Sequence, residues 1–206
     1  MPSSQERRAA NSLKLRETIV GAARDLLVEH GHAGFTMRRL AERIGYSATT
    51  IYLYFQDKDD LLNAVGLETF RLLREEIDAV RQDTVEPLLR LRRVLHAYVD
   101  FGLRHPHHYI STFVLPQGKR RSDTAGRTGS TDELGLPGLA RLTYDVARCV
   151  ASEEFRPLDA HIAARALLAA VHGMTSGLVV HTQFPWGNRT AVVDTLIEAM
   201  LAGLHA

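Results

Sequence analysis

Apolar residues in this chain recur at three- and four-residue spacing almost from end to end. Nowhere do they alternate over a stretch long enough for a half-buried strand. That period restricts the chain to helix packed on helix. Leu15, Ile19, Ala22, Ala23, Leu26 and Leu27 make one stripe, which Gly31 is placed to end as a C-terminal glycine does. Thr36 is positioned to cap 37–44, whose apolar face is Met37, Leu40, Ala41 and Ile44 and which Gly45 closes. Ser47 can cap a further short helix. Asp57, with Asp60 three residues on, can cap a longer one through Leu61, Leu62, Val65, Phe70, Leu73 and Ile77.

Beyond these, a helix is expected from about Val85, with Pro87 in its tolerated first turn, to Arg104 before Pro106. A short helix through Tyr109 and Phe113 follows, then three more over about 136–154, 159–181 and 189–204. The stretch 116–131 loses apolar periodicity and reads as a mobile loop. Its Arg120, Arg121 and Arg127 fit a solvated charge run better than an accessory nucleic-acid-binding arm. The expected fold is therefore all-α, with about nine helices. An unstructured tail (1–12) precedes a compact three-helix unit (13–60) and a larger helical domain (61–206).

Composition narrows the classes. With 206 residues and 45% hydrophobic content, there is enough chain for one sizeable core or a small domain fused to a larger one. The net charge of +1 favours no partner by itself, although the first fifty residues hold eight Lys and Arg against five Asp and Glu. A single cysteine, Cys149, excludes an internal disulfide and fits a buried small residue better than a catalytic thiol. The N-terminus lacks the apolar segment of a signal peptide. Ala166 to Val180, the longest weakly polar run, is shorter than the ~18 residues of a membrane span and is expected as a buried helix. A cytoplasmic protein with no membrane partner is expected.

The richest stretch is Gly45-Tyr-Ser-Ala-Thr-Thr-Ile-Tyr-Leu-Tyr-Phe-Gln-Asp-Lys58, which sets aromatics and hydroxyls into a short polar turn between helices. Two short helices joined by Gly-Tyr-Ser form a helix-turn-helix pattern, whose second helix can enter the major groove. Ile51 and Phe55, four apart, can face a small core, while Ala48, Thr49 and Tyr52 share the other face. Thr50, Tyr54 and Lys58 lie at the flanks, where their donors suit phosphate oxygens. Arg38 could reach a guanine edge or a phosphate. The same pattern also occurs as a plain packing unit.

The run Ala22-Ala-Arg-Asp-Leu-Leu27, His30-Gly31, Phe35-Thr36, Leu40-Ala41, Ile44-Gly45 and Thr50-Ile-Tyr-Leu-Tyr-Phe-Gln-Asp-Lys-Asp-Asp-Leu-Leu62 closely resembles the N-terminal domain of the TetR family of transcriptional regulators. The likeness covers roughly residues 15 to 62. It implies a homodimer, mostly repressing, that binds double-stranded operator DNA and leaves it when a small-molecule effector fills a pocket in the C-terminal domain. It also implies base contacts from Arg38, Ala48, Thr49 and Tyr52, and phosphate contacts from Thr36, Thr50, Tyr54 and Lys58. Ala48 offers only a methyl group, and Leu53 departs from the polar or aromatic residue usual there. The pattern His105-Pro-His-His-Tyr109 with Phe113, and Val171-His-Gly-Met174, resembles a C-terminal subtype common among these regulators.

No cofactor is expected, and no catalytic motif of the serine-elbow, phosphate-loop or zinc-protease kind is present in the sequence. His105, His107 and His108 have the spacing to share an ion, but no acid or cysteine stands beside them in sequence, so no metal site is assigned. His172 lies in an apolar run, where a hydrogen-bonded core histidine is the first reading and a ligand contact the second. Candidates for lining an apolar pocket are Tyr98, Phe101, Tyr109, Phe113, Tyr144, Cys149, His172 and Met174, which point to an apolar or aromatic effector. A single recognition helix buries too little surface for specificity, so two copies on a roughly palindromic site are required. Small residues Ala169, Gly173, Ser176 and Gly177, with the stripe Val193, Leu196, Ile197 and Met200, are the candidates for the dimer interface. The alternatives are a TetR-like activator, or an all-α binding protein or enzyme that has stopped binding DNA.

Overall fold

Side chains at the helix starts set the architecture. Thr36 accepts a hydrogen bond from the Arg39 amide (3.2 Å), Ser47 from Thr50 (3.1 Å) and Asp57 from Asp60 (2.8 Å). Each cap satisfies an amide that the first helical turn leaves without a carbonyl. The computed structural model describes residues 3–115 and 131–206, with residues 4 and 131–136 described by their backbone alone. Its helices are α1 (Ser4–Gly34), α2 (Met37–Ile44), α3 (Ala48–Tyr52), α4 (Lys58–Gln82), α5 (Pro87–Arg104), α6 (Pro106–Tyr109), α7 (Thr131–Ala151), α8 (Ala160–Val180) and α9 (Arg189–Ala202). A π-helical turn, Ile110–Val114, continues α6. Among the described residues the one extended pairing is an isolated bridge between Phe155 and His205. The expected loop, with Arg120, Arg121 and Arg127, lies outside the described residues apart from Thr131.

The first departure from expectation is at the N-terminus. From Ser4 on, the expected unstructured tail over 1–12 is helical, because Ser3 and Glu6 form a reciprocal capping box that starts the helix early. Gly31 breaks the helix where the sequence placed its end, with φ +63° and ψ −179°. Glycine tolerates that backbone, and the chain kinks there before one further turn ends at Phe35, whose amide bonds back to the Gly31 carbonyl.

Two cores share one helix. Ile19, Leu27, Phe35, Leu40, Ile51, Phe55, Leu61 and Val65 form the smaller cluster. Leu73, Leu91, Leu95, Phe101, Tyr109, Val146, Leu167, Val171 and Ile197 belong to the larger. Leu61, Ala64 and Val65 of α4 therefore belong to the first core and Leu73 to the second, so the boundary expected at residue 60 falls inside a continuous helix. By length and composition α8 could cross a bilayer, contrary to the shorter run read from sequence. Here its Ala164, Leu167, Val171 and Leu178 pack into the larger core, while Ala166, Ala169 and Gly173 stay exposed.

Candidate nucleic-acid interface and effector cavity

The α2–α3 joint is built by Gly45, which sits in the left-handed region at φ +72° and closes α2 with its amide. An L side chain there would press Cβ on the carbonyl, at a cost of about 1–2 kcal/mol. The turn sets α3 on the surface with Ile51 and Phe55 facing inward, 0% and 1% exposed. Burying them stabilises the unit by roughly 1.5–3 kcal/mol each, and this anchors the helix. Tyr52 and Thr49 then face solvent, with Ala48, Thr50 and Tyr54 half-buried at the sides. The Thr50 hydroxyl lies 2.9 Å from the Ser47 hydroxyl, which steadies the first turn. Thr36 is exposed, its oxygen engaged in capping α2.

Arg38 is exposed and donates to Glu42 one turn on (3.0 Å). A solvated pair of this kind is worth little and yields readily to a phosphate. Sequence reasoning missed Tyr46, which is exposed on the joint beside α3. Its place between Gly45 and the cap Ser47 was the available signal. Leu53, at 79% exposure, puts an apolar side chain at the end of the same helix.

Lys58, expected on a phosphate, is half-buried and engaged within the chain. Its ammonium donates to the carbonyls of His32 and Phe35, both at 3.0 Å, and lies 5.2 Å over the Phe35 ring. It therefore ties the start of α4 to the α1–α2 joint. Burial, and after it the Lys58 charge, lower the pKa of the His32 imidazole.

A cavity of about 1340 Å³ lies against α1, α4, α5, α7 and α8 and also touches the π-turn. Of the expected lining residues, Tyr98, Phe113 and His172 meet on its wall. Tyr109, Phe101 and Cys149 are instead sealed in the core, Met174 packs against that core, and Tyr144 is 59% exposed. Helical period identifies an apolar stripe but not which neighbour covers it. The Tyr109 hydroxyl lies 2.6 Å from His172 Nδ1, and that of Tyr98 lies 3.2 Å from it. Burial pushes the Tyr98 phenol up to about 12, raises that of Tyr109 and lowers the His172 pKa. At neutral pH this wall is thus an uncharged hydrogen-bonding group in apolar surroundings. Burial also pushes the Cys149 thiol up to about 12, which leaves it protonated and unreactive.

The histidines at 105, 107 and 108 diverge. His105 Nε2 lies 3.0 Å from Glu76, His107 Nδ1 lies 3.1 Å from Asp25, and His108 Nε2 lies 2.9 Å from an Arg24 nitrogen. A guanidinium only donates, so His108 Nε2 accepts and its Nδ1 carries the proton toward Thr69, 3.3 Å away. These contacts form a polar seam joining α1, α4 and α6. Among the described residues no three His, Cys, Asp or Glu side chains are grouped to hold an ion.

The residues expected at the dimer interface divide. Val193 and Ile197 are buried in the chain's own core, and Trp186 stacks within 3.2 Å of where a Gly177 Cβ would stand. Ser176, Leu196 and Met200 are half-buried, while Gly173 and Ala169 are exposed, Ala169 beside the cavity. An apolar stripe on a terminal helix was satisfied largely within the chain.

A capped helix-turn-helix with an outward-facing second helix, carried on a larger helical domain that holds a cavity, defines the class of helical DNA-binding regulators. Residues 19–65 match the family model described as bacterial regulatory proteins, tetR family, and residues 91–204 match the tetracyclin repressor-like C-terminal domain. The chain belongs to the TetR family.

The HTH-type transcriptional repressor AcnR of Corynebacterium diphtheriae is 37% identical over 62 residues, covering 30% of this chain and 33% of AcnR. The class D tetracycline repressor protein of Escherichia coli is 40% identical over 53 residues, 26% of this chain and 24% of that repressor. The chain thus matches about a third or less of the length of these relatives. FadR of Bacillus subtilis, solved with stearoyl-CoA, superposes with a TM-score of 0.74, covering 92% of this chain and 99% of FadR at 17% identity. That likeness is one of fold.

Proposed function

We propose that this protein is a ligand-responsive transcriptional repressor that binds a roughly palindromic operator as a homodimer and releases it when a small molecule with a largely apolar body enters the cavity. The observation that carries the reading is α3 itself. Ile51 anchors the helix, and Thr49 and Tyr52 are left facing solvent, without a hydrogen-bond or ring partner among the described residues. Tyr46 extends the same exposed aromatic surface. Such side chains meet base edges and sugars, and the hydroxyls of Thr36, Thr50 and Tyr54, carried on the same helical unit, suit phosphates.

The second support is the continuity of α4, which carries residues of the head's core at one end and of the cavity wall at the other. A ligand that favours one position of α4 shifts the population of head orientations, and with it the spacing of two recognition helices. The relatives named as repressors, and the FadR fold solved with an acyl-CoA, support the same reading. A gel shift of the purified protein on the DNA upstream of its own reading frame tests it. A saturable shift that the Tyr52→Ala variant loses is expected, and failure to shift any fragment of that region by folded protein would remove the proposal.

A further inference from the structure

The lining of the cavity is lopsided in charge. Six arginines, Arg16, Arg71, Arg74, Arg81, Arg141 and Arg165, meet it, against two carboxylates, Glu17 and Glu68. Several of these cations are already neutralised. Arg81 donates to buried Asp145 (2.6 Å), Arg141 to Asp78 (2.6 Å), and Arg71 to Glu75 (2.8 Å). Glu68 in turn accepts from Arg24 (3.0 Å). Among the described residues, Arg74 and Arg165, both exposed, have no acidic partner, and the exposed Glu17 has no cationic one, so the unpaired charge of the lining is still positive. Arg165 reaches only the His161 carbonyl of its own helix, at 3.5 Å. Arg16 stacks over the Phe55 ring, 5.0 Å from its centroid, and is likewise without an acid.

The cavity is also long. Its α4 wall runs from Ala64 to Arg81 on one helix, which over the intervening rises of ~1.5 Å per residue is about 26 Å. Between the charged residues that wall and its neighbours are apolar: Leu73, Ile77, Leu95, Leu142, Leu168 and Val171. A volume of about 1340 Å³ exceeds the ~300–1,000 Å³ of pockets for compact drug-sized ligands. An elongated apolar body satisfies the walls. Guanidinium groups without an acid, set among the apolar lining of a cavity, favour an anion, which they bind with two parallel hydrogen bonds where geometry allows.

Resting on the effector-responsive reading above, we infer that the effector is an elongated amphiphilic organic anion, its chain lying along α4, α5, α7 and α8 and its acidic group held by Arg74 and Arg165. A carboxylate and a phosphate share this chemistry. Because Val20 and Arg16 of α1 also line the cavity, such a ligand touches the DNA-reading unit directly, through an arginine that packs on the anchor of α3.

Calorimetric titration of the full chain tests the assignment, with hexadecanoate, hexadecanoyl-CoA, hexadecan-1-ol and acetate as probes, each below the concentration at which it self-associates. Hexadecanoate or its CoA thioester is expected to bind at least about tenfold more tightly than the alcohol, the gain of one charge-assisted pair. Acetate, with no chain, is expected not to bind. Binding of the thioester alone assigns the anion as phosphate, and binding of the free acid assigns it as carboxylate; either supports the class. In the Arg74→Ala/Arg165→Ala double variant the preference over the alcohol is expected to vanish, and in the Arg74→Lys/Arg165→Lys variant to persist in part. The lysine variant separates lost charge from lost packing. Equal affinity for the alcohol and the tighter-binding of the two anions, or an undiminished preference in the alanine variant, would overturn the assignment. So would failure of both anions to bind protein that still shifts DNA. The gel shift of ligand-free protein scores the regulator reading separately, so the two can fail independently.

Discussion

Within one turn of α3, neighbouring side chains have opposite duties. Tyr52 is half-exposed, so Tyr52→Ala should abolish the operator shift while changing thermal stability by no more than about 0.5 kcal/mol, as usual for a surface site. Phe55, three residues on, is sealed, and Phe55→Ala should cost about 3–5 kcal/mol of head stability in a denaturant titration. Lys58 separates the two readings of its role. If it served only a phosphate, Lys58→Met would make the salt dependence of DNA binding shallower by about one ion and leave folding alone. The structure predicts instead a loss of about 1–3 kcal/mol in stability, because the carbonyls of His32 and Phe35 lose their donor. A melting curve without DNA distinguishes the outcomes.

At the scale of elements, the seam between α1 and α6 is sensitive to acid. Burial first, then the charge of Arg24, push the pKa of His108 from its ordinary 6.5 down to about 4. As pH falls below 6.5 the unfolded chain takes up this proton before the folded one does. The contribution is therefore present above pH 6.5 and is lost progressively toward pH 4. His108→Gln retains a neutral hydrogen-bonding side chain, so the melting temperature of the variant should decline less steeply than wild type across that window. The crossing of α5 over α8 depends on Gly102, where an added Cβ would come within 2.2 Å of Thr175 Cγ2. Thr175 is fully buried and cannot swing into solvent, so Gly102→Ala should destabilise the larger domain by about 1–3 kcal/mol. The helices themselves were largely legible: Thr36, Ser47 and Asp57 cap where their chemistry suggested. The early start of α1 was not, since it depends on Ser3 and Glu6 reaching each other rather than on an apolar stripe.

For the whole molecule, α4 runs from the DNA-reading head to the cavity, and the coupling proposed between them must be reciprocal. An effector that lowers operator affinity by some factor must bind more weakly by that same factor when operator DNA is present. Titrating effector into free and DNA-bound protein measures both, and equal effector affinities alongside a real loss of DNA affinity would rule out the linked equilibrium. Halving the operator tests the proposed dimer: a single half-site is expected to lose most of the affinity, as one short recognition helix buries too little surface alone.

What the sequence determined by itself was local: the helical period, the caps, the glycine at φ +72° that makes the α2–α3 joint, and the split of Ile51 and Phe55 from Thr49 and Tyr52. These depend on neighbours within a turn or two. The assembly of the cavity was decided by tertiary packing. Tyr98, Phe113 and His172 meet on its wall while Tyr144 points to solvent and Cys149 into the core, and Arg74 and Arg165 come to a shared lining from helices far apart in the chain. Lys58 turned inward for the same reason. An apolar or charged residue carries its chemistry in the sequence, but the partner that covers or neutralises it arrives only when distant helices pack.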